Sequence, residues 1–148
     1  MRAAVLLVLL GLLAGCHQGP KRAQVFFEEG GRHYAAGDYD RAIAAYRRGL
    51  ELEPRSAVGL NLVGMAYRMK YNTLRDLDWK EKELAAFREA AAADSTFWPA
   101  MINLGATLYY LDRKAEAAEL FRKALRLNPE NPEREVLEGM IAEGEEGR

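Results

Sequence analysis

Apolar residues recur along this chain at helical spacing, in blocks separated by short polar breaks. Phe26, Phe27, Gly30 and Tyr34 fall on one face of a segment over 24–35, and Ala42, Ile43, Tyr46 and Leu50 do so from Tyr39 to about Glu51. That spacing predicts amphipathic helices. Between them Gly37-Asp38 reads as a turn, with glycine able to take the left-handed conformation and aspartate able to cap the next helix. Pro54 closes this first unit, because proline cannot continue a helix. A second pair is predicted at Ala57 to Lys70, with Leu60, Val63, Gly64 and Tyr67, and at Trp79 to Ala93. Asp78 with Glu81 three residues on fits a capping box, so the later helix is expected to start there. A third unit spans Trp98 to Asn131, with Pro99 in a first helical turn where its missing N–H does no harm. Val136, Leu137, Met140 and Ile141 predict one more helix over 132–143, and residues 144–148 are expected to fray.

The blocks repeat. Gly30 and Gly64 are 34 residues apart, and Gly64 and Gly105 are 41 apart, seven more, which places an insertion over Tyr71 to Leu77. A fixed period in the thirties marks a solenoid, in which one unit cannot bury its apolar face alone and stacks on its neighbours. The expected fold is therefore all-α: a right-handed solenoid of about three helix pairs over 24–56, 57–97 and 98–131, closed by a capping helix over 132–143.

The first residues differ from this pattern. Arg2 precedes an apolar run from Ala3 to Leu13, as an export signal requires, and the run is shorter than the roughly 20 apolar residues of a membrane-spanning helix. Cys16 is the only cysteine, so no internal disulfide can form. Leu13-Ala14-Gly15-Cys16 resembles the lipobox of bacterial lipoproteins. That resemblance implies a signal peptide over 1–15, lipidation of Cys16 and a bacterial envelope location, whereas an ordinary secreted protein with a free cysteine is the plainer alternative. Two or more acyl chains anchor stably where one does not, and lipoproteins of this class carry three. His17 in place of aspartate slightly favours the outer membrane, facing the periplasm. Residues 16–23, with Gly19-Pro20, read as a short tether.

Composition adds mainly exclusions. With 49% hydrophobic and 29% charged residues the chain is ordinary for a globular domain. Without residues 1–15 it carries 20 basic and 22 acidic residues, a balance that gives no basic stripe for nucleic acid. Lys21-Arg22 and Arg47-Arg48 read as solvated surface.

The repeats resemble the tetratricopeptide repeat family. In its 34-residue unit the large residue near the start corresponds to Phe26, Leu60 and Met101, and the close-approach glycine to Gly30, Gly64 and Gly105. The small residue opening the second helix corresponds to Ala42 and Ala117, the aromatic in its middle to Tyr46, Phe87 and Phe121, and the next small residue to Gly49, Ala90 and Ala124. The second unit departs from the pattern, with Glu83 at a small-residue position and Ser95 where proline is expected. The resemblance implies a groove lined by the first helix of each pair: Phe27, Gly31 and Tyr34, then Asn61, Met65 and Arg68, then Ile102, Ala106 and Tyr109. Some of these, Phe27 and Ile102 above all, are open to the alternative of being core. Members that clamp a C-terminal carboxylate use lysine, arginine and asparagine, where this chain has Phe27, Gly31 and Leu62. An extended or helical apolar segment is the better-fitting ligand, with Tyr34, Met65 and Tyr109 as anchors and Arg68 and Asn61 holding its backbone or an acidic side chain.

Catalytic chemistry has little to work with. His17 lies in the tether and His33 at a packing position, and no nucleophile, base and orienting group can be assembled around either. Asp76, Asp78, Glu81 and Glu83 lack the glycine-interrupted loop of a calcium site and read as a solvated, partly capping cluster. No enzyme, cofactor or metal is expected. Tyr71, Leu74, Leu77 and Trp79 of the insertion either form a second contact surface or fold back onto the core. The functional expectation is a lipid-anchored periplasmic adaptor for a protein or peptide partner. A receptor for a small ligand or glycan strand is the alternative, and oligomeric state is left open.

Overall fold

The computed structural model of the protein describes residues 19–146, and in these the chain folds into seven helices. They are α1 (Gly19–Ala35), α2 (Tyr39–Leu52), α3 (Ala57–Leu74), α4 (Leu77–Ala93), α5 (Trp98–Tyr110), α6 (Lys114–Leu127) and α7 (Arg134–Glu146). Each helix packs mainly on its neighbours in sequence, with lesser contacts of α1 with α3 and of α3 with α5. This is the expected solenoid: three helix pairs and a cap.

Local chemistry sets the boundaries. The Asp38 carboxylate accepts the Arg41 N–H at 3.1 Å, and the Ser56 hydroxyl accepts the Gly59 N–H at 3.3 Å, so α2 and α3 each begin with an otherwise unpaired donor satisfied. Gly37 takes a φ of 77° in the first hairpin turn, a conformation that costs glycine nothing. Arg75 and Asp112 occupy the corresponding left-handed positions in the next two hairpins, at φ 57° and 59°.

The pairs are locked by a glycine on the first helix facing an aromatic ring on the second. Tyr46, Phe87 and Phe121 are almost wholly buried. A methyl group placed on Gly64 would lie 2.7 Å from the Phe87 ring, and one on Gly105 would lie 2.6 Å from Phe121; Gly30 is covered by Tyr46 in the same way. Only a residue without Cβ lets the helices approach this closely. Ala42, Ala90, Ala117 and Ala124 complete the seams and are buried.

Four boundaries differ from the sequence expectation. Helix α1 begins at Gly19, so residues 19–23 of the expected tether are helical and Ala23 is fully buried. Pro20 falls in the first turn, where its missing N–H breaks no hydrogen bond. Helix α3 runs to Leu74 instead of Lys70, and α4 starts at Leu77 with Asp76 accepting the Asp78 N–H at 3.0 Å, so Asp76 rather than Asp78 is the cap. The inserted residues therefore lengthen both helices of the second pair instead of forming a loop. Last, α7 continues to Glu146 rather than fraying from Gly144. Gly144 is buried, and a methyl group there would meet the Lys114 carbonyl oxygen at 2.5 Å, so α6 and α7 touch backbone to backbone at this point. The expected signal peptide over 1–15 and Cys16 lie outside the described residues. Among the described residues no helix is long and apolar enough to cross a membrane.

Candidate functional site

The residues expected to line the groove divide into three groups. Phe27 is core: it is 5% exposed, and its ring is wedged between Gly49 of α2 and Gly59 of α3, where a Cβ would collide with it. The groove expectation for Phe27 is thus corrected; its ring fills the space those two glycines leave. Asn61 is also buried, with its side-chain oxygen accepting from Asn103 Nδ2 at 3.0 Å and its Nδ2 donating to the Met65 sulfur at 3.7 Å. It is spent on joining α3 to α5 and is not free to hold a partner's backbone.

Tyr34, Met65 and Ile102 are half-buried and present part of their surface. Tyr34 stacks edge-on with Tyr39 at 5.6 Å, and burial raises its hydroxyl pKa above the ordinary value. Ile102 and Met65 pack against the cluster containing Phe87 and Phe121. Tyr109 is claimed by the cap: its hydroxyl donates to Glu143 of α7, whose carboxylate also receives Lys114 Nζ at 2.8 Å. Hydrogen bonds from Lys114 and Tyr109 hold the Glu143 carboxyl below its ordinary pKa, and the Glu143 bond raises both Lys114 and Tyr109.

Arg68 is the centre of the site. Its Nε donates to Glu83 Oε1 at 2.8 Å, Nη1 to Asn103 Oδ1 at 3.0 Å, and Nη2 to the Asn103 carbonyl at 2.9 Å and the Thr107 hydroxyl at 3.1 Å. The guanidinium also covers the Phe87 ring, 4.8 Å from its centroid. Glu83 is fully buried; it additionally accepts from Thr107 Oγ1 at 2.7 Å and from Lys80 Nζ at 2.6 Å. No buried side-chain polar atom among the described residues lacks a partner. A buried carboxylate survives only when paired and fully hydrogen-bonded, and Glu83 is both. The expectation that Glu83 belongs to a solvated acidic cluster is therefore corrected: α4 turns it inward onto cations from α3 and its own helix. No group of three metal-ligating side chains is present among the described residues.

Above this network a cavity of about 370 Å³ opens between the ends of α3, α4 and α5, lined by Arg68, Tyr71, Arg75, Lys80, Thr107 and Tyr110 among others. It exists because the second pair is longer than its neighbours. Of the four insertion residues left undecided by sequence, Trp79 folds back, its ring 5.7 Å from Tyr67 and covered by Lys70 and Lys82. Tyr71 is half-buried under Lys80, whereas Leu74 and Leu77 stay exposed at the hairpin tip. Sequence reasoning missed Asn103 and Thr107 as partners of Arg68, and Lys80 as the second cation on Glu83. The signal available was the charged residue at position 83, where a small one belongs.

The fold and site together define a helical-repeat scaffold whose accessible chemistry is that of a binding surface. Residues 23–56 and 98–131 match the tetratricopeptide repeat family model, and these segments are tetratricopeptide repeats. The chain is 27% identical over 118 residues to human RNA polymerase II-associated protein 3, covering 79% of this chain and 16% of that protein. It is 28% identical over 125 residues to the small glutamine-rich tetratricopeptide repeat-containing protein 2 of Mycosarcoma maydis, covering 84% and 33%. The chain thus spans a third or less of these relatives. Among solved structures, it resembles the first tetratricopeptide repeat domain of Spaghetti bound to an HSP90 peptide, with a TM-score of 0.72, 23% identity and coverage of 86% and 96%. The tetratricopeptide repeat domain of Arabidopsis OM64 gives 0.71, 22%, and 84% and 98%. At these identities the structural likeness speaks for the fold.

Proposed function

We propose that this chain is a non-enzymatic adaptor that holds a protein or peptide partner at the periplasmic face of a bacterial envelope membrane, the outer membrane by preference, through lipids on Cys16. The observation that carries the binding half is the stack of repeats itself, with Tyr34, Met65, Ile102 and Arg68 partly accessible on the first helices of the pairs. A solved domain of the same fold holds an HSP90 peptide. That mode of capture does not transfer directly, because Phe27, Gly31 and Leu62 stand here where a carboxylate clamp needs cations and an amide. The anchoring half rests on Leu13-Ala14-Gly15-Cys16 behind an apolar run. Three acyl chains on one residue give stable attachment, and α1 starting at Gly19 leaves very little chain between lipid and fold. The repeats would therefore work close to the membrane surface.

The test is crosslinked capture from intact cells with the lipidated protein and with Cys16→Ser, alongside labelling with a palmitate analogue. Label on the wild type alone, with a protein partner recovered best from the anchored form, supports the adaptor. Absence of label on the wild type removes the anchor; absence of any protein partner removes the adaptor. A receptor for a small ligand or glycan strand keeps one observation in its favour, the cavity of about 370 Å³. It predicts saturable binding without a protein partner.

A further inference from the structure

We infer that the cavity above Glu83 is an acidic-segment site, which takes a glutamate or aspartate side chain of the partner next to an apolar one. This deepens the adaptor reading and rests on it. Three cations, Arg68, Arg75 and Lys80, face the cavity against one carboxylate, Glu83. Glu83 is bonded by Arg68 and Lys80 and is itself fully buried, whereas both cations keep some exposure. The excess positive charge consequently lies on the open side.

Donor capacity agrees with this. Arg68 spends Nε, one N–H of Nη1 and both of Nη2 inside the fold, which leaves one N–H. Lys80 spends one of its three on Glu83 and rests over the Tyr71 ring, 4.1 Å from its centroid. Arg75 has no ion-pair partner among the described residues; its guanidinium lies 5.9 Å from the Tyr71 ring centroid. A bidentate carboxylate on Arg75, with a second bond from Lys80, would use what the fold leaves over. The apolar half is equally specific to this place. Tyr110 is 78% exposed and Leu111 is 41% exposed, side by side on the cavity wall. Large aromatic surface beside unspent cations is the composition of an interface anchor. Topology selects the partner over the membrane: the cavity sits at the C-terminal ends of α3 and α5, while Cys16 precedes the N-terminal end of α1, which is on the opposite edge of a stack of antiparallel pairs. The cavity therefore lies at the edge of the stack remote from the start of α1.

The probe is a fluorescein-labelled, amidated decapeptide with glutamates flanking one phenylalanine, titrated into the full lipidated chain in detergent and followed by anisotropy. The glutamine version of the peptide, inorganic phosphate as competitor, and phosphatidylglycerol vesicles complete the set. The glutamate peptide should bind saturably, with roughly tenfold weaker binding for Arg75→Glu and for the glutamine peptide, the size of one lost charge-assisted contact. Tyr110→Ala should weaken it by a smaller factor that salt leaves in place, while the two charge effects should shrink with salt. Equal binding of the two peptides, no response to Arg75→Glu, displacement by low phosphate, or preference for vesicles would each overturn the proposal. Arg75 makes no ion pair among the described residues, so its substitution should leave the packing in place, which unchanged thermal unfolding would verify. In-cell capture separates the two levels. A partner recovered equally by wild type and Arg75→Glu keeps the adaptor and removes this site, whereas recovery of none removes both.

Discussion

In the first and third helix pairs the second helix meets the first through Ala42 and Ala117, both wholly buried. In the second pair the same position is Glu83, just as buried but carrying a charge. The glycine and aromatic beside it are retained, since Gly64 still faces Phe87 as Gly105 faces Phe121. The middle pair thus keeps the aromatic lock and exchanges the small-residue seam for an ionic lattice joining α3, α4 and α5. A small residue asks nothing of the next pair. Glu83 asks for Arg68, Lys80 and Thr107, so the register of the second pair against the third is fixed by directional bonds as well as by packing.

The largest effect belongs to the first pair: Phe27→Ala empties the space between Gly49 and Gly59 and should cost about 4 kcal/mol in denaturant unfolding. A groove residue would cost little, so a loss under about 1 kcal/mol returns Phe27 to the binding surface. Glu83→Ala should cost about 3 kcal/mol, because it strips the lattice of its anion and leaves Arg68 and Lys80 half-buried beside each other. The small residue of the outer pairs does not rescue the middle one while its cations remain. Converting Glu83 to Leu together with Arg68 and Lys80 to Met should recover most of that loss, as buried ionic groups replaced whole by apolar ones often do. Gly64→Ala and Gly105→Ala should each cost about 1–3 kcal/mol, alike in both pairs, since both methyl groups strike a buried ring. Unequal losses would show that the aromatic lock is not shared.

The smallest effect concerns the cap and depends on pH. Glu143 is held below its ordinary pKa, so its contribution is complete above the unfolded carboxylate value of about 4.3 and is lost as pH falls through the folded value. Lys114 is raised, so its contribution is complete below about 10.4 and is lost as pH rises through the folded value. Methyl NMR shifts of Leu137 and Ile141 should therefore report looser docking of α7 at the acid end. The acid response should disappear in Glu143→Gln, while the Arg68–Glu83 lattice is unaffected by that change.

The range of each interaction decides how much of the molecule is legible in its sequence. The helix pairs, their glycines and their aromatics are set by periodicity and by contacts within one unit, and the structure places Tyr46, Phe87 and Phe121 as that pattern predicts. The lengthening of α3 and α4 is hidden, because seven extra residues carry no sign of whether they continue a helix. In the structure they add turns, ended by Arg75 in the left-handed region. Position 83 is visibly anomalous in the repeat, but its partners are 15 and 24 residues away on other helices, and only packing brings them together. The repeat pattern places Asn61 and Arg68 correctly on the first helix of their pair. Their occupation by internal bonds depends on Asn103, 42 and 35 residues further on.

We propose that recognition is concentrated on the middle pair and the adjoining end of α5, not spread evenly along the first helices. The most direct measurement installs a photo-crosslinking amino acid at Tyr110 or at Tyr34 in the anchored protein and compares adducts in living cells. A partner adduct from position 110 that vanishes with Arg75→Glu, with little from position 34, is the predicted result. Adducts from position 34 that persist in Arg75→Glu, with none from position 110, would contradict it.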